Sequence, residues 1–278
     1  VKVGIIGLGL IGGSLALDLQ ALGHRVWGSS RRPETIHTAL ESGVIEAYFP
    51  IGSEIPQDTD LVIICTPIDG IIPTLAQIVA YLPPSTMVTD VGSVKSPIVT
   101  PGRALWHNFV GSHPMAGNNH SGIKWAQQNL FQGRPCAVIG KAGETLTDRI
   151  GELWRSVGME VYFCEAEDHD RAVAWVSHLP VMVSAALNLA CVQEQNIPVR
   201  ILGEKLASSG FADTSRVGGG NPELGRMMAQ SNRAALLYAI DRYQEVLAEI
   251  KEQIALEAWH ELEALLQNAH HLRQSYCN

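Results

Sequence analysis

The sequence predicts an α/β fold: a doubly wound, mostly parallel sheet over residues 1–165, followed by an all-helical domain over residues 166–278. Three observations lead there. Short continuous apolar runs, such as LVIIC (61–65) and MVTD (87–90), alternate with helix-patterned stretches such as IIPTLAQIVAYL (71–82). The first run, VKVGII (1–6), passes directly into a glycine-rich turn and an apolar helical stripe. After about residue 165 the strand signal stops and only helical periodicity remains. Strands without polar alternation belong to sheets covered on both faces, which is how parallel sheets are built.

The bulk numbers fit a folded chain. Of 278 residues, 46 % are hydrophobic and 17 % charged, a composition that forms cores. The formal net charge of -8 argues against a general nucleic-acid binder, which is usually basic. The five cysteines, Cys65, Cys136, Cys164, Cys191 and Cys277, are odd in number and form no CxxC. They read as reduced thiols rather than disulfides or zinc ligands. The apolar start lacks a basic leader and a cleavage site. No apolar run is expected to reach the roughly 20 residues of a membrane span. The expectation is a cytoplasmic protein with no membrane or nucleic-acid partner.

The first 32 residues carry the most information. Gly7-Leu8-Gly9-Leu10-Ile11-Gly12 is a G-x-G-x-x-G between a strand and a helix whose apolar stripe is Ile11, Leu15, Leu19 and Leu22. A second strand, RVWGSS (25–30), follows. That context marks the Rossmann dinucleotide-binding turn. Gly7 permits the tight turn, Gly9 lets a pyrophosphate approach the backbone, and Gly12 lets helix and strand pack closely. The helix N-terminus offers free N–H groups to the phosphates. The plain alternative is a glycine-rich turn of some other α/β protein. Where NAD sites carry a carboxylate for the ribose 2′-OH, this chain has Ser29, Ser30, Arg31 and Arg32, with no acid before Glu34. Hydroxyls and guanidinium groups suit a 2′-phosphate, so NADP is the expected cofactor. A solvated basic loop is the alternative.

Further strands are expected at FVG (109–111), AVIG (137–140) and VYF (161–163). Three polar loops then leave strand C-terminal ends, where ligands bind in such sheets. They carry Thr66-Pro67, Ser93, and His113 within GSHPMAG (111–117). A histidine in a turn is usually just exposed. At this edge it is a candidate general base, with an ordinary pKa of about 6.5.

In the helical half, DHDRAVAWVSHLPVMVSAALNLACVQ reads as one long apolar helix kinked by Pro180. His169 and His178 fall near opposite faces, which argues against a shared metal, and no metal is suggested elsewhere. His178 reads as a packed core histidine or as one facing the cleft. In SSGFADTSRVGGGNPELG (208–225), Arg216 is either a clamp for a substrate carboxylate among flexible glycines or the partner of Asp213. Asn221-Pro222 reads as the N-cap and first residue of a new helix. Leu236, Ile240, Tyr243, Leu247, Ile250 and Ile254 form a helix-packing seam, suited to dimerisation or to an internal core.

Taken together, GLGLIGGSLA (7–16), VTDVGSVK (88–95), GSHPMAG, SHLP (177–180) and SGFADTSR (209–216) resemble the prephenate/arogenate dehydrogenase family over essentially the whole chain. The likeness is closest to its cyanobacterial arogenate members. The resemblance implies an NADP-dependent oxidative decarboxylation in tyrosine biosynthesis, by a homodimer joined through the helical domain. It implies His113 as the catalytic base, with Ser93 orienting the ring hydroxyl or His113. It further implies Arg216 on the ring carboxylate, Asp213 beside Arg216 or a substrate ammonium, and His178 at the substrate. Val181 stands where the family's HLPH pattern has its second histidine, which favours arogenate over prephenate.

Two other readings compete. A β-hydroxyacid or imine dehydrogenase of similar build is one. Many of the former use a lysine on the first helix of the second domain, and this chain has none between Lys141 and Lys205. A non-catalytic, NADP-sensing dimer is the other, and it has no need of Ser93, His113 and Arg216 together.

Overall fold

The computed structural model of the chain describes residues 1–117 and 120–276. Two compact units appear, Val1–Asn232 and Arg233–Asn278.

The first unit is built on a six-stranded sheet of β1 (Lys2–Ile6), β2 (Arg25–Ser29), β3 (Ala47–Tyr48), β4 (Leu61–Ile64), β5 (Met87–Asp90) and β6 (Phe109–Val110). Its order is β3-β2-β1-β4-β5-β6, with every pairing parallel. The order reverses between β1 and β4, where open α/β sheets bind ligands. Helices α1 (Leu10–Ala21), α2 (Pro33–Glu41), α3 (Ile68–Ile78) and α4 (Ser96–Leu105) make the crossovers. Neighbouring strand residues feed two separate cores. Val3, Ile5 and Ile63 join Leu15 and Leu19 of α1 on one face. Ile6, Val62 and Ile64 join Ile71, Leu75 and Ile98 of α3 and α4 on the other. Burial on both faces is why these strands read as unbroken apolar runs. In the expected stripe of α1, Leu22 is exposed at the C-cap; Leu15 and Leu19 are buried.

The last expected strands do not extend this sheet. β7 (Ser112–Pro114), β8 (Pro135–Ile139) and β9 (Glu160–Cys164) form a second, three-stranded sheet. β8 runs antiparallel to β7 and parallel to β9, and α5 (Thr145–Ser156) packs on it. His113 is therefore a strand residue opposite Ala137, not a turn residue. GSHPMAG hides this because only three of its residues pair, one of them Pro114, between Gly111 and Gly117.

Strands give way to helices between Cys164 and Ala166. The expected long helix is three segments: α6 (Ala166–Val173), a π-helical turn over Ala174–His178, and α7 (Leu179–Cys191). Pro180 has no N–H to give to the turn before it, and the wider turn absorbs the defect. Contrary to expectation, this 26-residue run is long and apolar enough to cross a membrane by length and composition alone. It begins, however, with a charged turn and buries His169, Asp170 and His178 within the protein.

Helices α8 (Ile197–Leu206), α9 (Ser209–Ser215) and α10 (Pro222–Ser231) complete the unit. Asn221 caps α10 by accepting from Glu223 N at 2.9 Å, as the sequence predicts. The second unit is a pair of helices in contact with each other, α11 (Arg233–Ala255) and α12 (Trp259–Tyr276). Of its expected seam, Leu236 is buried, while Leu247 and Ile254 are about half exposed. Cys65, Cys136, Cys164 and Cys191 are free thiols; Cys277 lies outside the described residues.

Candidate active site

The dinucleotide turn has the geometry its spacing requires. Gly7 adopts φ +105°, and a side chain there would meet the Cys65 backbone at 2.6 Å. A Cβ on Gly12 would lie 2.1 Å from the Gly7 carbonyl oxygen. A Cβ on Gly9 would meet no protein atom within 4 Å, so the space over the turn is open. Gly9 caps α1 without a side-chain bond, and the first turn carries no acid. The helix end is thus a free cluster of N–H donors with a positive dipole. Leu8 and Leu10 are buried, so the loop meets a ligand through its backbone. Beside it, Thr66 Oγ1 at the end of β4 and Ser29 Oγ at the end of β2 are buried without protein partners. Pro67 caps α3.

Beyond β2 lies a pocket of about 320 Å³ lined by Ser30, Arg31, Pro33, Ile36, Leu40 and Tyr48, with His37 at its wall. Arg31 lines it. Arg32 does not; it caps α2, and its N–H donates to Ser30 Oγ at 3.2 Å. Open backbone at Gly9, unpartnered hydroxyls and a cationic pocket fit a phosphorylated dinucleotide.

The candidate base lies on β7, in the second sheet. His113 is 7 % exposed. Its Nδ1 lies 2.9 Å from His169 Nε2, and His169 Nδ1 lies 2.8 Å from Asp170 Oδ1. Burial, then the neighbouring His169, Lys95 and His178, hold the His113 imidazole well below its usual pKa. It is a neutral imidazole at neutral pH. Burial alone would raise the Asp170 carboxyl, but bonds from His169, Ser96 and Lys95 outweigh it and hold Asp170 ionised. Asp170 also accepts from Lys95 N at 2.7 Å and Ser96 N at 2.8 Å, and so pins the start of α4.

Beneath His113, the Lys95 ammonium pairs with Asp90 and donates to the Ser112 carbonyl at 2.7 Å. Asp90 Oδ1 accepts from Ser112 N, and Thr89 Oγ1 meets Ser112 Oγ at 2.8 Å. This network ties the β5 loop, which carries Ser93, to the strand that carries His113.

His178 is fully buried. Its Nδ1 faces Asn232 Nδ2 at 3.2 Å, and that amide donates to the Asp170 carbonyl at 2.7 Å. Burial drives the imidazole down to about 4, against the pull of Asp170 and the Ser93 backbone. One polar atom of the cluster, Ser93 Oγ, is buried without a protein partner, and His178 Nε2 makes no well-formed hydrogen bond. Such atoms are costly unless something bonds them.

Arg216 and Asp213 are placed differently. Both are exposed, at the end of α9. Among the described residues no ion pair joins them, and no hydrogen bond joins either to His113, Ser93 or His178. The glycines after Arg216 do not act as a flexible tether. Gly218 donates to Ser184 Oγ at 2.8 Å, and a Cβ there would lie 2.3 Å from the α7 backbone. The turn after Arg216 is docked on α7.

Sequence reading missed Lys95, Asp90, His169, Asp170 and Asn232. HD at 169–170 and D-x-x-x-x-K at 90–95 were visible signals, but nothing local says that such charges are buried together. Among the described residues no group of three or more His, Cys, Asp or Glu is arranged to hold a metal ion.

Comparison with known proteins closes the question of kinship. The family model for the prephenate dehydrogenase nucleotide-binding domain matches residues 15–163, and that for its dimerization domain matches residues 165–268. The chain is 42 % identical to the solved Synechocystis arogenate dehydrogenase, covering 99 % of this chain and 100 % of that one, with a TM-score of 0.86. It is 28 % identical to the Aquifex aeolicus prephenate dehydrogenase solved with hydroxyphenyl propionate and NAD+, covering 99 % and 98 %, with a TM-score of 0.91. Among curated proteins, the prephenate dehydrogenase of Lactococcus lactis is 28 % identical over 99 % of this chain and 77 % of its own length. The cyclohexadienyl dehydrogenase of Zymomonas mobilis is 27 % identical over 91 % and 88 %. The chain belongs to the prephenate dehydrogenase family, enzymes of aromatic amino acid biosynthesis with a nucleotide-binding and a dimerization domain.

Proposed function

We propose that the chain oxidatively decarboxylates arogenate to tyrosine with NADP, and that His113 is the base. One observation carries this reading: a neutral, buried imidazole on β7, tied by hydrogen bonds to the β5 loop, whose Ser93 Oγ is buried without a protein partner. The bound nicotinamide supplies the hydride acceptor. The substrate's ring hydroxyl donates to His113, and Ser93 Oγ gives a second hydrogen bond. His113 takes the hydroxyl proton as hydride leaves the same carbon. Carbon dioxide departs, its bonding pair completes the aromatic ring, and the proton returns to the phenol oxygen. Aromatisation drives the reaction, so positioning and one base suffice. Arg216 binds the ring carboxylate, Asp213 the substrate ammonium, and His178 the substrate through Nε2.

Arg31 and Ser30 favour NADP, because their pocket offers charge-assisted bonds to a 2′-phosphate. Likeness to an arogenate dehydrogenase at 42 % identity, against 28 % for the prephenate enzymes, supports arogenate. Val181 in place of a histidine adds to it. Prephenate is the second reading, favoured by the names of the curated relatives. The sheet and its helices bind the dinucleotide, and the helices beyond residue 165 bind substrate and join two copies. Exposed Leu189, Val192, Leu202, Leu247 and Ile254 support that homodimer.

The test is reduced-nicotinamide absorbance with arogenate and prephenate offered in parallel, each with NADP and NAD. Turnover with arogenate and NADP is expected. Turnover with prephenate alone overturns the substrate; silence with both overturns the reaction.

A further inference from the structure

We infer that His169 and Asp170 are positioning residues that fix the tautomer of His113 and leave its Nε2 free to accept the proton. The inference rests on His113 being the base proposed above. It starts from two distances: Asp170 Oδ1 to His169 Nδ1, 2.8 Å, and His169 Nε2 to His113 Nδ1, 2.9 Å.

The hydrogens of this chain follow from its far end. Asp170 accepts from two backbone N–H groups as well as from His169, and is ionised. A carboxylate has no proton to give, so the hydrogen between it and His169 is on His169 Nδ1. With that hydrogen on Nδ1, His169 presents a bare Nε2 to His113, which can only accept. The hydrogen between the two rings is on His113 Nδ1. His113 Nε2 keeps its lone pair, and that is the atom a base must offer. When Nε2 takes a proton, the imidazolium still donates through Nδ1, and the Asp170 charge stabilises it through the polarised His169 ring. A third group holding a catalytic histidine in its working tautomer is a known device of proton-transfer sites.

The surroundings favour this arrangement. Other titratable groups around His113 are Lys95 and Asp90 from the β5 loop, His178 from the π-turn, and Cys136 from β8. No other described hydrogen bond to either His113 ring nitrogen competes with His169.

The direct test is two-bond proton–nitrogen NMR of the full-length protein with 15N-labelled histidine, with His113 assigned by its loss in His113→Asn. The wild type is expected to show His113 protonated at Nδ1, the minor tautomer of free histidine. In His169→Leu the signal should revert to the Nε2–H form, and kcat should fall about 100-fold or more with KM little changed. His169→Gln, whose amide oxygen can accept from Nδ1, should keep the tautomer and recover part of kcat. In His169→Gln the acid limb of kcat/KM should also move to lower pH, because the link to the Asp170 charge is cut. A purely structural role would leave tautomer and limb unmoved. An Nε2–H His113 in the wild type overturns the inference, even if His113→Asn abolishes turnover. Turnover surviving in His113→Asn overturns the base itself, whatever the tautomer. Asp170 is left unmutated here because it also holds the start of α4.

Discussion

Asp90 and Lys95 form an ion pair with both side chains fully buried, at 0 % exposure each. Burial pulls the lysine below its usual pKa, against the pull of Asp90. Further hydrogen bonds offset the pair's desolvation: Lys95 donates to the Ser112 carbonyl, and Asp90 accepts from Ser112 N and Gly92 N. Removing one partner leaves an uncompensated charge. Lys95→Met should cost about 3–5 kcal/mol in urea unfolding. Asp90→Asn with Lys95→Met together should cost less than the sum. Additive losses would show that the two charges do not depend on each other.

Acid should unfold the protein through its buried histidines. His178 is held down to about 4, and His113 is held well below its usual value. Both folded pKa values are depressed, so the unfolded chain binds protons first as pH falls. Their stabilisation is complete above about pH 6.5 and is lost between there and the folded values. For His178 the loss by pH 4 is of order 3 kcal/mol. Unfolding curves at pH 7.5, 6 and 5 check it. In His178→Gln the slope should be shallower; an unchanged slope would remove His178 from this account.

The second and third glycines of the dinucleotide turn should behave in opposite ways. Gly12→Ala drives a Cβ to 2.1 Å from the Gly7 carbonyl and should lower the melting temperature. Gly9→Ala meets nothing in the protein and should fold normally, yet lose NADP affinity by about tenfold or more, since its methyl fills the pyrophosphate approach. Calorimetric binding beside thermal melts separates the two. Unaltered affinity in Gly9→Ala would move the cofactor elsewhere.

Arg31 should decide between the two nicotinamide cofactors. It lines the pocket beyond β2, whereas Arg32 caps α2. A charge-assisted bond contributes about 1.5–3 kcal/mol, so Arg31→Ala should weaken NADP about 10–150-fold and leave NAD nearly untouched. Arg32→Ala should do much less. Equal losses for both cofactors would make Arg31 a structural residue.

The fold was legible where local pattern and burial coincide. Val3, Ile5, Ile63 and the glycine turn announced a parallel, doubly covered sheet, and Asn221-Pro222 announced α10. The second sheet was not legible, since three paired residues around His113 leave no periodicity. The π-turn was foreshadowed by Pro180 but its form depends on how α7 packs. Within the site, residue types at strand ends pointed to Ser93 and His113. His113 meets His169 across 56 positions, Lys95 meets Asp170 across 75, and Asn232 meets Asp170 across 62, and long-range pairing of polar groups leaves no short-range signature.

The most direct measurement is turnover of arogenate with NADP by His113→Ala, beside NADP binding by the same variant. The account predicts that binding persists near the wild-type level while kcat falls at least about 100-fold. Wild-type turnover in that variant would contradict it, because the ring hydroxyl would then lose its proton to some other acceptor.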